Sequence, residues 1–179
     1  MFEFIATHIA GCFEVQPKVL SDDRGRFVKG FHTGAFKENG LVQTFDEVYY
    51  SVSRKGVLRG LHFQSPPDAH VKLVSCVRGR ILDVVVDLRK DSTTYHRVHS
   101  TELSATKGNM LYVPEGLAHG FLSLEDDTLF LSMNSKEYSP QCDSGIRWDS
   151  IGFVWPIENL IVSEKDQNMI PLSIYNSPF

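Results

Sequence analysis

Apolar and polar positions alternate in short runs along the middle of the chain. Residues 71–77 (VKLVSCV), 80–88 (RILDVVVDL), 97–103 (RVHSTEL), 109–113 (NMLYV), 119–124 (HGFLSL) and 128–133 (TLFLSM) are rich in β-branched or aromatic side chains. Such runs suit a pleated, half-buried surface and predict strands. Turn formers punctuate them: Arg78–Gly79, Lys90–Asp91–Ser92, Lys107–Gly108, Pro114–Glu115–Gly116 and Glu125–Asp126–Asp127. Short strands at this spacing point to a sandwich or barrel. Residues 33–39, stopped by Gly40, form the one helix candidate. Residues 135–148 read as irregular, and the tail after Trp155 as partly helical. The predicted fold class is all-β, a double-sheet jelly-roll barrel with a few short helices.

A barrel collects inward-pointing residues from several strands at its mouth. Four ionisable residues interrupt otherwise apolar runs: His62, Lys72, Asp83 and His119. One alone would ordinarily face water. Four on neighbouring strands would be costly to bury unpaired, so they mark a candidate pocket.

Composition narrows the partners. Lys plus Arg is 18 against 22 Asp plus Glu, a formal net charge of −4 over 179 residues. That balance excludes a general nucleic-acid or anionic-membrane binder, and still permits a small anion held by a few local cations. Cys12, Cys76 and Cys142 are odd in number and widely spaced. They read as free thiols in a reducing cytoplasm rather than a disulfide framework or a zinc site. The start, MFEFIATHIAGCF, has no basic leader, and no apolar run reaches membrane-spanning length. Residues 1–179 read as one domain with no linker or repeat.

Residues 56–64 (GVLRGLHFQ) and 113–121 (VPEGLAHGF) are long, compositionally odd blocks. With 22–27 (DDRGRF), 83–89 (DVVVDLR), 145–148 (GIRW) and 163–166 (SEKD), the chain resembles the dTDP-4-dehydrorhamnose 3,5-epimerases. These are cupin-fold enzymes acting on nucleotide diphosphate-linked 4-keto-6-deoxyhexoses, and the likeness runs in order from Asp22 to Asp166. It implies an isomerase without a cofactor or metal. A proton beside the C-4 ketone is acidic because the carbanion delocalises onto oxygen, but its removal needs a base in contact and a stabiliser for the enolate. The resemblance makes His62 the base, Asp166 the carboxylate that orients it, and Lys72 the cation near the C-4 oxygen. Imidazole suits the first role because it titrates near neutral pH. His119 and Asp83 are implied as further pocket residues. Arg24 and Arg59 match the arginines that grip the diphosphate, for which a forked guanidinium is well shaped. Arg26 is a possible assistant, Phe27 is expected to pack in the core with an edge in the pocket, and Lys165 is a weaker substrate contact. The resemblance also implies a homodimer that exchanges N-terminal strands, with arginines serving the neighbour's site.

Several positions depart from the family pattern. An ungapped alignment on Tyr138–Ser139–Pro140 puts Ser132 where the family carries a general-acid tyrosine. A serine is a far weaker acid and several ångströms shorter. In the family that tyrosine is associated with proton delivery to C-5, so its loss favours inversion at C-3 alone. Tyr138 is available as a substitute acid, a pocket hydrogen bond or packing. Glu47, Val48 and Tyr49 replace a Gln-Asp-Asn run, Lys29 replaces a glutamate, and Asp143 stands where glutamate is common. The first two changes concern nucleotide contacts and leave both dTDP- and CDP-linked substrates open.

Other readings compete. Full 3,5-epimerisation with another acid is one. A metal-dependent cupin oxygenase would draw on His62, His70, His119 and Glu115, but lacks the usual HxH pair. A non-catalytic sugar-nucleotide binder would not need His62, Lys72 and Asp166 together.

Overall fold

The computed structural model describes residues 2–179. Strands β1 (Phe2–Ala6), β2 (Phe13–Pro17), β3 (Val19–Asp22), β4 (Gly25–Val28), β5 (Glu47–Ser53), β6 (Val57–Gln64) and β7 (Lys72–Arg78) fill the first part. They are followed by β8 (Arg80–Asp87), β9 (Val98–Ser104), β10 (Met110–Val113), β11 (Leu117–Ser123), β12 (Thr128–Asn134), β13 (Asp143–Gly145) and β14 (Ile161–Val162). Helix α1 spans Thr33–Glu38 and α2 spans Glu164–Gln167.

One sheet runs β1-β2-β10-β7-β12-β5 and the other β13-β6-β11-β8-β9, with β14 added parallel to β6. β3 and β4 pair only with each other, as a two-stranded hairpin. Non-sequential neighbours in two sheets give the jelly roll predicted from the strand pattern.

The period of two explains what each face covers. Ile81 and Val85 of β8 join Val74, Leu111, Phe121 and Phe130 in a core shared by both sheets. Val84 and Val86 point the other way and pack with Leu61, Phe63, Ile146 and Leu172, covered by the C-terminal segment. Because both faces are covered, β8 reads as a continuous apolar run broken only by aspartates. On the far side of the first sheet, Phe36 of α1 is buried against Val15, Leu73, Met110 and Tyr112. His32 caps that helix by accepting from the Ala35 N–H.

Two glycines let β6 and β11 approach closely. A Cβ on Gly60 would lie 2.7 Å from Gly120 Cα, and one on Gly120 would lie 2.6 Å from the Arg59 carbonyl oxygen. Gly60 also has φ +120°, which a side chain would strain. The register shifts between His119 and Phe121, and His119 pairs directly with His62. A β-bulge of this kind re-aims side chains.

The structure departs from the sequence reading in three places. Strands β1 to β6 lie outside the runs read as strands. Residues 135–148 contain β13, which is held by β6 rather than by its own pattern. Phe27 is not core: it is 61% exposed, because no layer covers the β3–β4 hairpin. The tail after Trp155 is partly helical, with α2 and a 3₁₀ turn at Leu172–Ile174.

Candidate active site

Between the sheets, beyond the packed half of the core, lie two adjoining cavities of about 520 and 400 Å³. Tyr49, His62, Lys72 and Lys165 line both. Arg59, Ser51, His119, Phe121 and Asp166 complete the larger one, and Glu47, Asn134, Tyr138 and Asp143 the smaller.

The SEKD sequence positions its aspartate by capping. Ser163 is the N-cap of α2, and its hydroxyl accepts the Asp166 N–H. The turn sets Asp166 under β6, where Oδ2 accepts the Gly60 N–H at 3.0 Å and Oδ1 meets His62 Nε2 at 2.7 Å. Asp166 is 3% exposed. Burial pushes its carboxyl upward, but the hydrogen bond and charge of His62 and the Gly60 N–H prevail and hold it below the usual range. An ionised carboxylate can only accept, so Nε2 of His62 donates. Nδ1 is thereby left as the ring atom able to take a proton. The His62 side chain is 32% exposed, enough for a substrate to reach it.

Lys72 is buried on β7, and its Nζ donates to the His62 carbonyl at 3.3 Å. Burial lowers its pKa to about 8, while Asp143, Asp83 and Glu47 act to raise it. The ammonium therefore sits desolvated beside the base, where it can stabilise negative charge on a ketone oxygen. Asp83 and His119 form a buried pair, with Nε2 2.8 Å from Oδ2. This pair fixes the His119 ring on the cavity wall. Arg59 reaches the cavity with its Nε donating to Ser53 Oγ at 3.1 Å.

Opposite β6 a polar row runs across β12 and β5, in which Glu47, Tyr49 and Asn134 line the cavities and Ser132 lies buried behind them, lining neither. Ser132 Oγ donates to Asn134 Oδ1 at 2.8 Å, and Asn134 Nδ2 donates to Glu47 Oε2 at 2.8 Å. Ser132 is wholly buried. Tyr49 is its direct cross-strand partner. Lys165 and Tyr138 both donate to Asp143 Oδ2 at the smaller cavity. For Lys165, burial is outweighed by Asp143, which raises its pKa.

The fold does not bring every expected residue together within one chain. Arg24, Arg26 and Phe27 line a separate hollow on the β3–β4 hairpin. The Arg24 side chain is 90% exposed and pairs with Asp22. Lys29, just beyond β4, lines neither cavity. Conversely, Ser51, Asn134 and His70 were missed as pocket residues. His70 is half-buried, with both ring nitrogens shut away from solvent and without a partner, and desolvation lowers its pKa to about 3. Asn134 could have been found from strand alternation with Ser132, and Ser51 from alternation with Tyr49.

Among the described residues, no three His, Cys, Asp or Glu side chains converge as a metal-binding group. His62 and His119 are each paired with a carboxylate. Among the same residues no helix is long and apolar enough to cross a membrane.

The family model for dTDP-4-dehydrorhamnose 3,5-epimerase matches residues 6–173. The chain is 45% identical over 176 residues to the dTDP-4-dehydrorhamnose 3,5-epimerase of Methanothermobacter thermautotrophicus, covering 96% of this chain and 95% of that one. It is 34% identical over 168 residues to a dTDP-4-dehydrorhamnose 3-epimerase of Streptomyces niveus, covering 92% and 81%. A crystal structure of the Bacillus anthracis 3,5-epimerase, with TDP and pyrophosphate bound, superposes with a TM-score of 0.93 at 35% identity, covering 96% of this chain and all of that one. Fold, motif order and these likenesses agree: the chain belongs to the dTDP-4-dehydrorhamnose 3,5-epimerase family of cupin-fold carbohydrate epimerases.

Proposed function

We propose that this epimerase inverts C-3 of a nucleotide diphosphate-linked 4-keto-6-deoxyhexose and leaves C-5 unchanged. The observation that carries the reading is the buried Asp166 holding His62, with the Lys72 ammonium on the His62 carbonyl, at one cavity between the sheets. Nδ1 of His62 takes the proton beside the ketone, and its Nε2–H is steadied by Asp166 as the ring becomes charged. Lys72 stabilises the enolate oxygen. His119, held by Asp83, and the Lys165–Asp143–Tyr138 cluster bind the sugar, and Arg59 takes the diphosphate.

Two observations support the choice of carbon. Ser132, which the ungapped alignment on Tyr138–Ser139–Pro140 sets at the family's tyrosine position, has its only side-chain hydrogen committed to Asn134. In addition, a relative at 34% identity is named a 3-epimerase.

The working unit is a homodimer of single domains, 1–179. Leu20, Phe27 and Val28 on the hairpin and Val48, Tyr50 and Val52 on the edge strand β5 are exposed apolar residues that call for cover. In that dimer Arg24, Phe27 and Lys29 serve the neighbouring site. A cytoplasmic setting suits the three buried free thiols. Glu47 and Tyr49 in place of an amide-bearing run make a CDP-linked substrate a candidate beside a dTDP-linked one.

The test is incubation in deuterated water with each nucleotide's 4-keto-6-deoxy sugar. Deuterium should enter C-3 and not C-5, as read by NMR, and the two substrates' kcat/KM should differ by at least tenfold. Equal incorporation at both carbons would refute C-3 selectivity, and equal rates would refute nucleotide discrimination.

A further inference from the structure

Inversion at a carbon requires that the proton return to the face opposite the one from which it left. His62, on β6, approaches from one sheet. A donor supplied by the protein must therefore come from the facing sheet, β7-β12-β5. Lys72 on that sheet is placed for the ketone oxygen, and the Ser132 hydroxyl is committed to Asn134. Tyr49 is different. It lies on β5, directly across from Ser132 in the β12–β5 register, and lines both cavities together with His62 and Lys72.

Strand alternation explains the placement. Glu47, Tyr49, Ser51 and Ser53 share one face of β5, where Glu47 meets Asn134 and Ser53 meets Arg59. Val48, Tyr50 and Val52 alternate onto the other face and line neither cavity, whereas Tyr49, though 43% exposed, lines both. The phenol thus enters the cavity wall one strand beyond the position that Ser132 occupies.

We infer that Tyr49, one strand away from the position Ser132 occupies, is the proton donor that returns hydrogen to C-3 on the face opposite His62, a role that rests on the C-3 epimerase reading above. In that step the enolate electrons re-form the ketone and a new C–H bond takes the phenol proton. The resulting phenolate is reprotonated by water, and the His62 imidazolium releases its proton to water. The environment keeps the donor loaded. One side of Tyr49 is open to the cavity and solvent; burial of its part within the wall, together with Glu47, raises the phenol's pKa against polar contacts with Ser132 and Asn134. The resemblance instead places this residue against the nucleotide, a role that predicts a change in KM alone.

Tyr49→Phe keeps the ring and removes the hydroxyl, so it separates the two roles. The probe is a nucleotide-linked 4-keto-6-deoxyglucose accepted by the wild type, followed in deuterated water by NMR. The variant should still exchange the proton that His62 removes, within about threefold of the wild-type rate. Inverted product should fall at least 100-fold through kcat, with KM changed less than threefold. A raised KM with wild-type kcat, or equal loss of exchange and inversion, would overturn the donor assignment while leaving the epimerase reading intact. A wild type that exchanges no proton would overturn both.

Discussion

Nε2 of His62 lies 2.7 Å from Oδ1 of Asp166, a residue 104 positions further along the chain. Two local devices create this contact: the Ser163 cap that sets Asp166, and the Gly60 N–H that holds its second oxygen. Asp166→Asn removes the charge that steadies a protonated ring. A fall in kcat of about 10²–10⁴ is expected, with KM little changed. The same substitution affects acid stability. The folded pKa of Asp166 is below its ordinary 3.8, so its contribution is present above that value and is lost as pH falls through the folded value. Melting curves between pH 5 and 2 should lose part of their slope in Asp166→Asn.

Lys72 has a linkage of the same sign in a higher pH window, but here the shift costs stability at neutral pH. Its folded pKa is about 8, against an ordinary 10.5. Between those values the unfolded chain holds more protons, so stability should rise with pH across the window. Activity should fall there, because the neutral amine cannot stabilise an enolate. The pH–rate profile of the wild type should therefore bend downward near 8. Lys72→Met should lower kcat by about 10²–10³ and abolish that bend.

Subunit exchange can be tested by mixing two inactive chains. Arg24 is remote from the cavity of its own chain, on an exposed hairpin. If it serves the neighbour, co-expressed Arg24→Ala and His62→Ala chains form heterodimers with one intact site. Recovery of about a quarter of wild-type activity is expected from random pairing. An Arg24 acting within its own chain would give no recovery beyond the residual of each variant.

The glycine contact between β6 and β11 bears on both stability and geometry. In Gly120→Ala the new Cβ would meet the Arg59 carbonyl oxygen at 2.6 Å and Leu61 at 2.8 Å. A loss of about 1–3 kcal/mol in chemical denaturation is expected. Activity should also fall, since the strand carrying His62 must shift.

Much of this was legible in the sequence. The strands from β7 to β12 announce themselves because each combines β-branched alternation with a turn former at its end. β13 does not, since three residues (DSG) carry no pattern and are held by pairing with β6. His62, Lys72, Asp83 and His119 stand out as ionisable residues in apolar strands; the fold sets His62, Lys72 and His119 around one cavity and buries Asp83 behind His119. Phe27 reads as core in the sequence because an aromatic beside a turn gives no hint that its hairpin lies outside both sheets. Tyr49 is the most instructive residue. Its alternation places it on the inward face, but only the β12–β5 register puts it across from Ser132. Strand pairing between distant segments is information that a local pattern does not carry.

The central claim is that His62 removes a proton beside the substrate ketone. His62→Asn preserves much of the side-chain volume and can still bond Asp166, but it has no basic nitrogen. Solvent deuterium incorporation into a 4-keto-6-deoxy sugar nucleotide, read by NMR at C-3, measures the step itself. Wild-type protein should label C-3 within the assay, and His62→Asn should reduce that rate by at least 10³-fold. Labelling by His62→Asn at close to the wild-type rate would contradict the assignment of the base.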